Sequence, residues 1–162
     1  MTEPVQKPGR SKQNYETPWP FVEIVKRRLG IDEFDIDLAA DETNTKAPVW
    51  LTAQEDALSL DVPWRAEGWC WLNPPFANIG AWARKCAEAA ADLDTRIAFL
   101  VPASVGSNWY RDYVHKAHAR ALFLNGRITF VGEQDPFPKD LMLVLYQYGN
   151  QGNDVWSWKA EE

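Results

Sequence analysis

Apolar positions recur along this chain with two periods. Phe21, Val22, Ile24, Val25 and Leu29 fall at helical spacing and are closed by Gly30, which predicts an amphipathic helix. Thr17-Pro18 ahead of them reads as an N-cap followed by proline at the first helical position. Ile79 to Ala91 is Ala-rich and amphipathic, a second helix, and Trp109 to Ala117 is a third. Strand patterns are interleaved with these. Phe34-Asp35-Ile36-Asp37-Leu38 alternates, Ala47 to Leu51 is a short apolar run, and Trp69 to Leu72 is a buried one. Arg96 to Val101 is a continuous apolar run stopped by Pro102, as expected of a central strand covered on both faces. Ala121 to Leu124 and Ile128 to Val131 flank Asn125-Gly126 and predict a hairpin, and Leu141 to Tyr148 predicts a last strand.

Helices alternate with strands through the first two thirds of the chain, and strands then follow one another. This predicts an α/β fold with a twisted sheet of six or seven strands, mostly parallel, ending in antiparallel strands. In such sheets ligands bind beyond the strand C-termini, at the point where strand order reverses. Asp37 and Asn73 both lie at predicted C-terminal ends, so a reversal between their strands would bring them to one cleft. The outer segments are different. Residues 1–14 are polar, contain Pro4, Pro8 and Gly9, and are expected to form a flexible arm; 15–150 form the domain; 151–162 read as a polar tail apart from Trp156 and Trp158.

Composition narrows the function classes. At 162 residues the chain has room for one core, and its net charge of -6 excludes a globally basic nucleic-acid binder while allowing local basic patches. Cys70 and Cys86 have neither zinc-ligand nor redox-motif spacing and are expected to be buried thiols, which suits a reducing cytoplasm. No run is long and apolar enough to span a bilayer, so no membrane partner is expected. His115 and His118 lack a suitably spaced carboxylate, and no metal site is expected. Nine Trp are many for this length, and some are expected to line a cleft or an interface.

The strand Trp69 to Leu72 runs into Asn73-Pro74-Pro75-Phe76. Two prolines have no N–H for the sheet ladder, so they end the strand and fix the loop. The result is a rigid strand end presenting an amide, peptide carbonyls and a ring, a set suited to methyl transfer onto a planar nitrogen. An exocyclic amine is a poor nucleophile because its lone pair is delocalised. An oxygen of Asn73 and the Pro74 carbonyl can each accept one of its protons, favouring a pyramidal nitrogen and stabilising the charge that develops. Pro75 helps fix the carbonyl, and Phe76 offers a face for a base to stack on. Were the acceptor a nucleic-acid base, one within a duplex could not reach such a pocket and would have to be flipped out or single-stranded. On this reading Asn73→Asp keeps substantial activity, since an oxygen acceptor remains.

Further elements follow in order: Thr17-Pro18, Phe34 to Ala40, Glu55-Asp56-Ala57-Leu58, Leu100 to Ala103, Trp109-Tyr110, Gly126 to Phe130 and Pro138 to Leu141. Together with Asn73 to Phe76, this series resembles the phage-type (Dam-like) DNA N6-adenine methyltransferases, from about Tyr15 to Tyr148. The resemblance implies a Rossmann-like methyltransferase fold, S-adenosylmethionine as cofactor and adenine in DNA as substrate. It implies Asn73, Pro74, Pro75 and Phe76 as the catalytic element. It also implies that Thr17, Pro18, Asp37, Ala39, Asn44, Asp56 and Leu58 hold the cofactor. The Gly-rich loop common in cofactor-binding α/β folds is absent after Asp37, a departure this family shares. Lys26, Arg27, Arg28 and Arg127 are candidate DNA contacts. With no recognition domain legible, short or relaxed sequence specificity is expected, with a homodimer as one route to DNA binding. Methylation of cytosine N4 or of a protein glutamine, and a non-catalytic DNA-mimic or assembly role, stay open as alternatives.

Overall fold

The computed structural model describes residues 15–52, 54–149 and 152–162. The arm expected over 1–14 lies outside them. All the described strands join one seven-stranded sheet in the order β2-β1-β3-β4-β6-β5-β7. They are β1 (Ile36–Asp37), β2 (Val49–Trp50), β3 (Trp69–Leu72), β4 (Arg96–Pro102), β5 (Arg120–Leu124), β6 (Leu141–Tyr146) and β7 (Asp154–Trp156). β6 runs antiparallel to both of its neighbours, and the other four pairings are parallel. The sheet is therefore mixed α/β and mostly parallel, as the order of patterns predicts.

Helices cover both faces. Alternation along β3 and β4 sends Cys70, Leu72, Ile97, Phe99 and Val101 to one face, where they meet Trp82, Ala83 and Cys86 of the helix Ile79–Leu93. Trp69, Trp71, Ala98 and Leu100 point to the other, under Phe21, Val22, Ile24 and Val25 of the helix Trp19–Leu29. This explains why both central strands read as unbroken apolar runs. Both cysteines are free and buried as expected, and burial pushes the Cys70 thiol up to about 12.

Four expectations are corrected. Thr17 is not an N-cap: the cap position is Pro18, without a side-chain bond, and the helix starts at Trp19 and ends on Gly30 at φ 71. Ile128 to Val131 is not a strand. Ile128 and Phe130 are buried there in irregular backbone, whose Ile128 carbonyl accepts from the Phe137 N–H at 2.8 Å and whose Val131 N–H donates to the Glu16 carbonyl at 3.0 Å. The helix expected over Trp109 to Ala117 is one α-turn, Asn108–Tyr110, continued by a wider π-turn, Arg111–His115. Within 151–162, Asp154–Trp156 pairs with β5 at the sheet edge and both Trp156 and Trp158 are buried. Their rings pack on Phe21 at 6.1 and 5.0 Å.

Candidate active site

Strand order reverses between β1 and β3. From β1 the chain moves outward to β2, then crosses back to lay β3 on the other side of β1. The C-terminal ends of β1 and β3 thus border the crevice such a reversal leaves. Asp37 lies level with Trp71, so Asn73 sits two residues, about 7 Å, further along the strand direction. A cavity of about 370 Å³ opens there, lined by Asp37, Asn73, Thr17, Lys46, Asn44 and Pro75 among others. That volume suits a small organic ligand, for which sites of about 300–1,000 Å³ are usual.

The side chain of Asn73 is held in one orientation. Its Nδ2 donates to the Tyr15 carbonyl and, at 2.9 Å, to the Thr17 hydroxyl. Both amide protons are used, and Oδ1 is buried with no hydrogen-bond partner. An unpaired buried carbonyl costs about 1–3 kcal/mol, so Oδ1 is an uncommitted acceptor on a residue that lines the cavity. Sequence reasoning supplied the acceptor. It did not supply what aims it, because the backbone carbonyl of residue 15 and a threonine read as a helix cap carry no local signal of that role.

Beside the acceptor lie four rings. Tyr15 contacts Phe76, Phe130 and Phe137 with centroids at 5.6, 5.1 and 5.3 Å, and Phe137 reaches Phe76 at 5.7 Å. Phe76 is therefore one wall of an aromatic cluster. Phe137 belongs to the 132–139 loop, pinned by Arg127, which donates to the Phe137 carbonyl at 3.3 Å and to Asp140 at 3.4 Å.

On the β1 side Asp37 is 2% exposed, and its carboxylate accepts from the Ala39 N–H at 3.1 Å and the Lys46 N–H at 2.9 Å. Desolvation outweighs those bonds and raises its pKa to about 7. Where a Gly-rich loop is missing, side chains shape the turn. Asp41 accepts from the N–H and hydroxyl of Thr43 and from the Asn44 N–H, while the Asn44 amide oxygen accepts from the Asp41 N–H at 2.9 Å. Those bonds hold the Asp41 carboxyl below its ordinary range. Ala39 and Ala40 line the cavity with no side chain beyond a methyl.

The structure brings Thr17, Asp37, Ala39, Asn44, Asn73 and Pro75 to the cavity. Pro18, Asp56, Leu58, Pro74 and Phe76 are not among its lining residues. Asp56 is tied to it through Thr52, a lining residue whose hydroxyl donates to the Asp56 carboxylate. Leu58 packs on the core, and the Pro18 carbonyl accepts from Phe21 and Val22. Of the candidate DNA contacts, Lys26 pairs with Glu23 at 3.0 Å and Arg27 donates to the Glu161 carbonyl at 2.8 Å. Arg28 lies 4.9 Å from the centre of the Trp156 ring. All three cations are engaged within the molecule. The lining residues Tyr15, Glu16, Lys46, Thr52 and Trp71 were not picked out from the sequence, which offers no periodicity or motif to mark them. Trp71 also bears on the tryptophan expectation: it borders the cavity, but like Trp64, Trp69, Trp82, Trp156 and Trp158 it is buried in the core.

Comparison with known proteins decides the family. Residues 5–143 match the family model described as DNA N-6-adenine-methyltransferase (Dam). This chain belongs to the Dam family. Its relatives include the DNA N-6-adenine-methyltransferase of Haemophilus phage HP1 (strain HP1c1), 27% identical over 141 residues, covering 84% of this chain and 79% of that protein. The matched span takes in both walls of the cleft of this Dam family member, from Tyr15 to the Phe137 loop. No described helix is long and apolar enough to cross a membrane.

Proposed function

We propose that this protein methylates the N6 amine of adenine in DNA, with S-adenosylmethionine as methyl donor, on a Rossmann-like methyltransferase sheet. One observation carries the reading: Asn73 lines the cavity at the β1–β3 crevice, its Nδ2 is held by two bonds, and its buried Oδ1 has no partner. Family membership supports adenine over cytosine or glutamine as the acceptor.

The cleft suits the cofactor's charges. Asp37 offers a carboxylate to an ammonium or a ribose hydroxyl, Ala39 and Ala40 leave room for close approach, and Asn44 and Thr52 add polar edges. Thr52 is held by Asp56, so Asp56 acts on the cofactor side by orienting it. When bound, S-adenosylmethionine supplies an electrophilic methyl on a sulfonium. Asn73 Oδ1 accepts a hydrogen bond from one amine N–H, the Pro74 carbonyl accepts one from the other, and the lone pair leaves conjugation with the ring. Because both acceptors are fixed before the reaction, little reorganisation is needed as positive charge develops on nitrogen. Asn73 is neutral and takes no proton; the amine's extra proton is released to solvent. Phe76, within the Tyr15–Phe130–Phe137 cluster, is the apolar wall against which a flipped base stacks. Tritium transfer from labelled S-adenosylmethionine into DNA, absent with Asn73→Ala, tests the reading. Label in protein rather than DNA overturns it.

A further inference from the structure

Lys46 is an unusual residue to find at this cavity. It is 3% exposed, yet it lines the space. Its Nζ donates to Glu16 Oε2 at 3.1 Å and lies 4.5 Å from the centre of the Trp19 ring. An ammonium has three protons to give. Among the described residues Glu16 is its one hydrogen-bond acceptor, so a buried cation keeps donor capacity beside a cavity. Glu16 differs in setting. Its side chain is about a third exposed, at 34% against 2% for that of Lys46. The exposed partner is the one that can leave. Lys46 cannot follow, because its own N–H is bonded to Asp37 and its stem is buried.

We propose that Lys46 binds the α-carboxylate of an amino-acid-bearing ligand and that the Glu16 carboxylate holds that position in the ligand's absence. The inference rests on the cofactor reading above and adds to it the subsite for the ligand's amino-acid end. Asp37 and Lys46 then form a pair of opposite charges on one wall, complementary to the ammonium and carboxylate of a zwitterion. Glu16 lies between Tyr15 and Thr17, which pin Asn73. The same short segment therefore touches the carboxylate subsite and the reacting amine's acceptor, so filling one bears on the other.

Binding, rather than turnover, tests this. Calorimetry compares S-adenosylhomocysteine, which carries the carboxylate, with 5′-methylthioadenosine, which lacks the whole amino-acid end. Lys46→Met keeps length and apolar stem while removing the charge. It is expected to weaken S-adenosylhomocysteine by about 10- to 100-fold, as for loss of a charged hydrogen bond, and to leave methylthioadenosine within about twofold. Glu16→Gln removes the competing charge and is expected to tighten S-adenosylhomocysteine by about three- to tenfold with no change for methylthioadenosine. Equal weakening of both ligands by Lys46→Met overturns the assignment, as does weaker S-adenosylhomocysteine binding in Glu16→Gln, which would place Glu16 on the ligand's ammonium. Should Lys46→Met fail to fold, the Glu16→Gln arm decides alone. If the wild type binds neither ligand, the cofactor reading itself fails; if it binds both and the variants do not discriminate, only the Lys46 assignment fails.

Discussion

Replacing Asn73 by Asp separates two accounts of the reaction. If only an oxygen at this position matters, Asp is a good substitute. The geometry says otherwise. Wild-type Nδ2 gives its protons to the Tyr15 carbonyl and the Thr17 hydroxyl. An ionised Asp offers only acceptors. Thr17 can turn its hydroxyl to donate, but the Tyr15 carbonyl cannot, so two acceptors face each other and the carboxylate must swing away. A buried carbonyl left in this state costs about 1–3 kcal/mol, or about 5- to 150-fold if expressed wholly as misplacement of the second oxygen. Turnover of Asn73→Asp is therefore expected to fall about 10- to 100-fold near neutral pH, against about 10²- to 10³-fold for Asn73→Ala, which has no acceptor. Protonation gives a sharper signature. A neutral carboxyl has one O–H to donate to Tyr15 and one carbonyl to face the amine, reproducing the amide's pattern. The ratio of Asn73→Asp to wild-type turnover should rise as pH falls from about 8 to about 6. Tritium incorporation into DNA measures the ratio, and calorimetry checks that cofactor affinity is kept. Wild-type turnover by Asn73→Asp at pH 8, or a ratio flat with pH, would refute the claim that the Nδ2 bonds aim the acceptor.

Other expectations follow from the same structure. Thr17→Val removes one of the two acceptors for Nδ2 at nearly constant shape; kcat should fall about three- to tenfold with cofactor affinity little changed, read by single-turnover kinetics and calorimetry. Asp37 has a folded-state pKa of about 7 against an ordinary 3.8, so the folded state binds the proton more tightly than the unfolded one. Its contribution to stability is then highest below about pH 4, declines as pH rises towards 7 and is flat above, by up to about 4 kcal/mol in all. Urea unfolding of wild type and Asp37→Asn between those limits isolates this term: the stability of the wild type relative to the variant should fall as pH rises from about 4 to about 7. Ligand affinity should run the opposite way, falling below about pH 7 as the carboxylate needed for a cation is protonated. In the core, Trp64 and Trp82 stack at 6.1 Å, but only Trp64 has a partner for its indole N–H, the Ala57 carbonyl at 3.0 Å. Trp64→Phe should cost about 1 kcal/mol more than Trp82→Phe in denaturant melts, since only the first gives up an indole hydrogen bond; the Ala57 carbonyl keeps its bond from Lys85 Nζ at 2.7 Å.

How much of this was legible in the chain depends on the range of the interaction. β3, β4 and β6 are strands whose burial on both faces is written in their own residues, and the Asn-Pro-Pro stop is a local consequence of two missing N–H groups. Ile128 to Val131 looked like a strand because Ile128 and Phe130 alternate. They are buried instead by the N-terminal segment, distant in sequence, and by the irregular Phe137 loop that follows directly. Thr17 looked like a cap because Thr before Pro is a common helix start. Its hydroxyl is claimed by Asn73, 56 residues away, and no local rule could reveal that. Lys46 carries no signal at all: its setting depends on Glu16 and Trp19, which only the folded chain brings near.

The central claim is that Asn73 presents an acceptor to an adenine amine in DNA. Mass spectrometry of nucleosides from DNA of cells expressing the wild type and Asn73→Ala tests it directly. The account predicts N6-methyldeoxyadenosine with the wild type and its loss with Asn73→Ala at equal protein levels. N4-methyldeoxycytidine in its place, or N6-methyldeoxyadenosine undiminished in the variant, would contradict it.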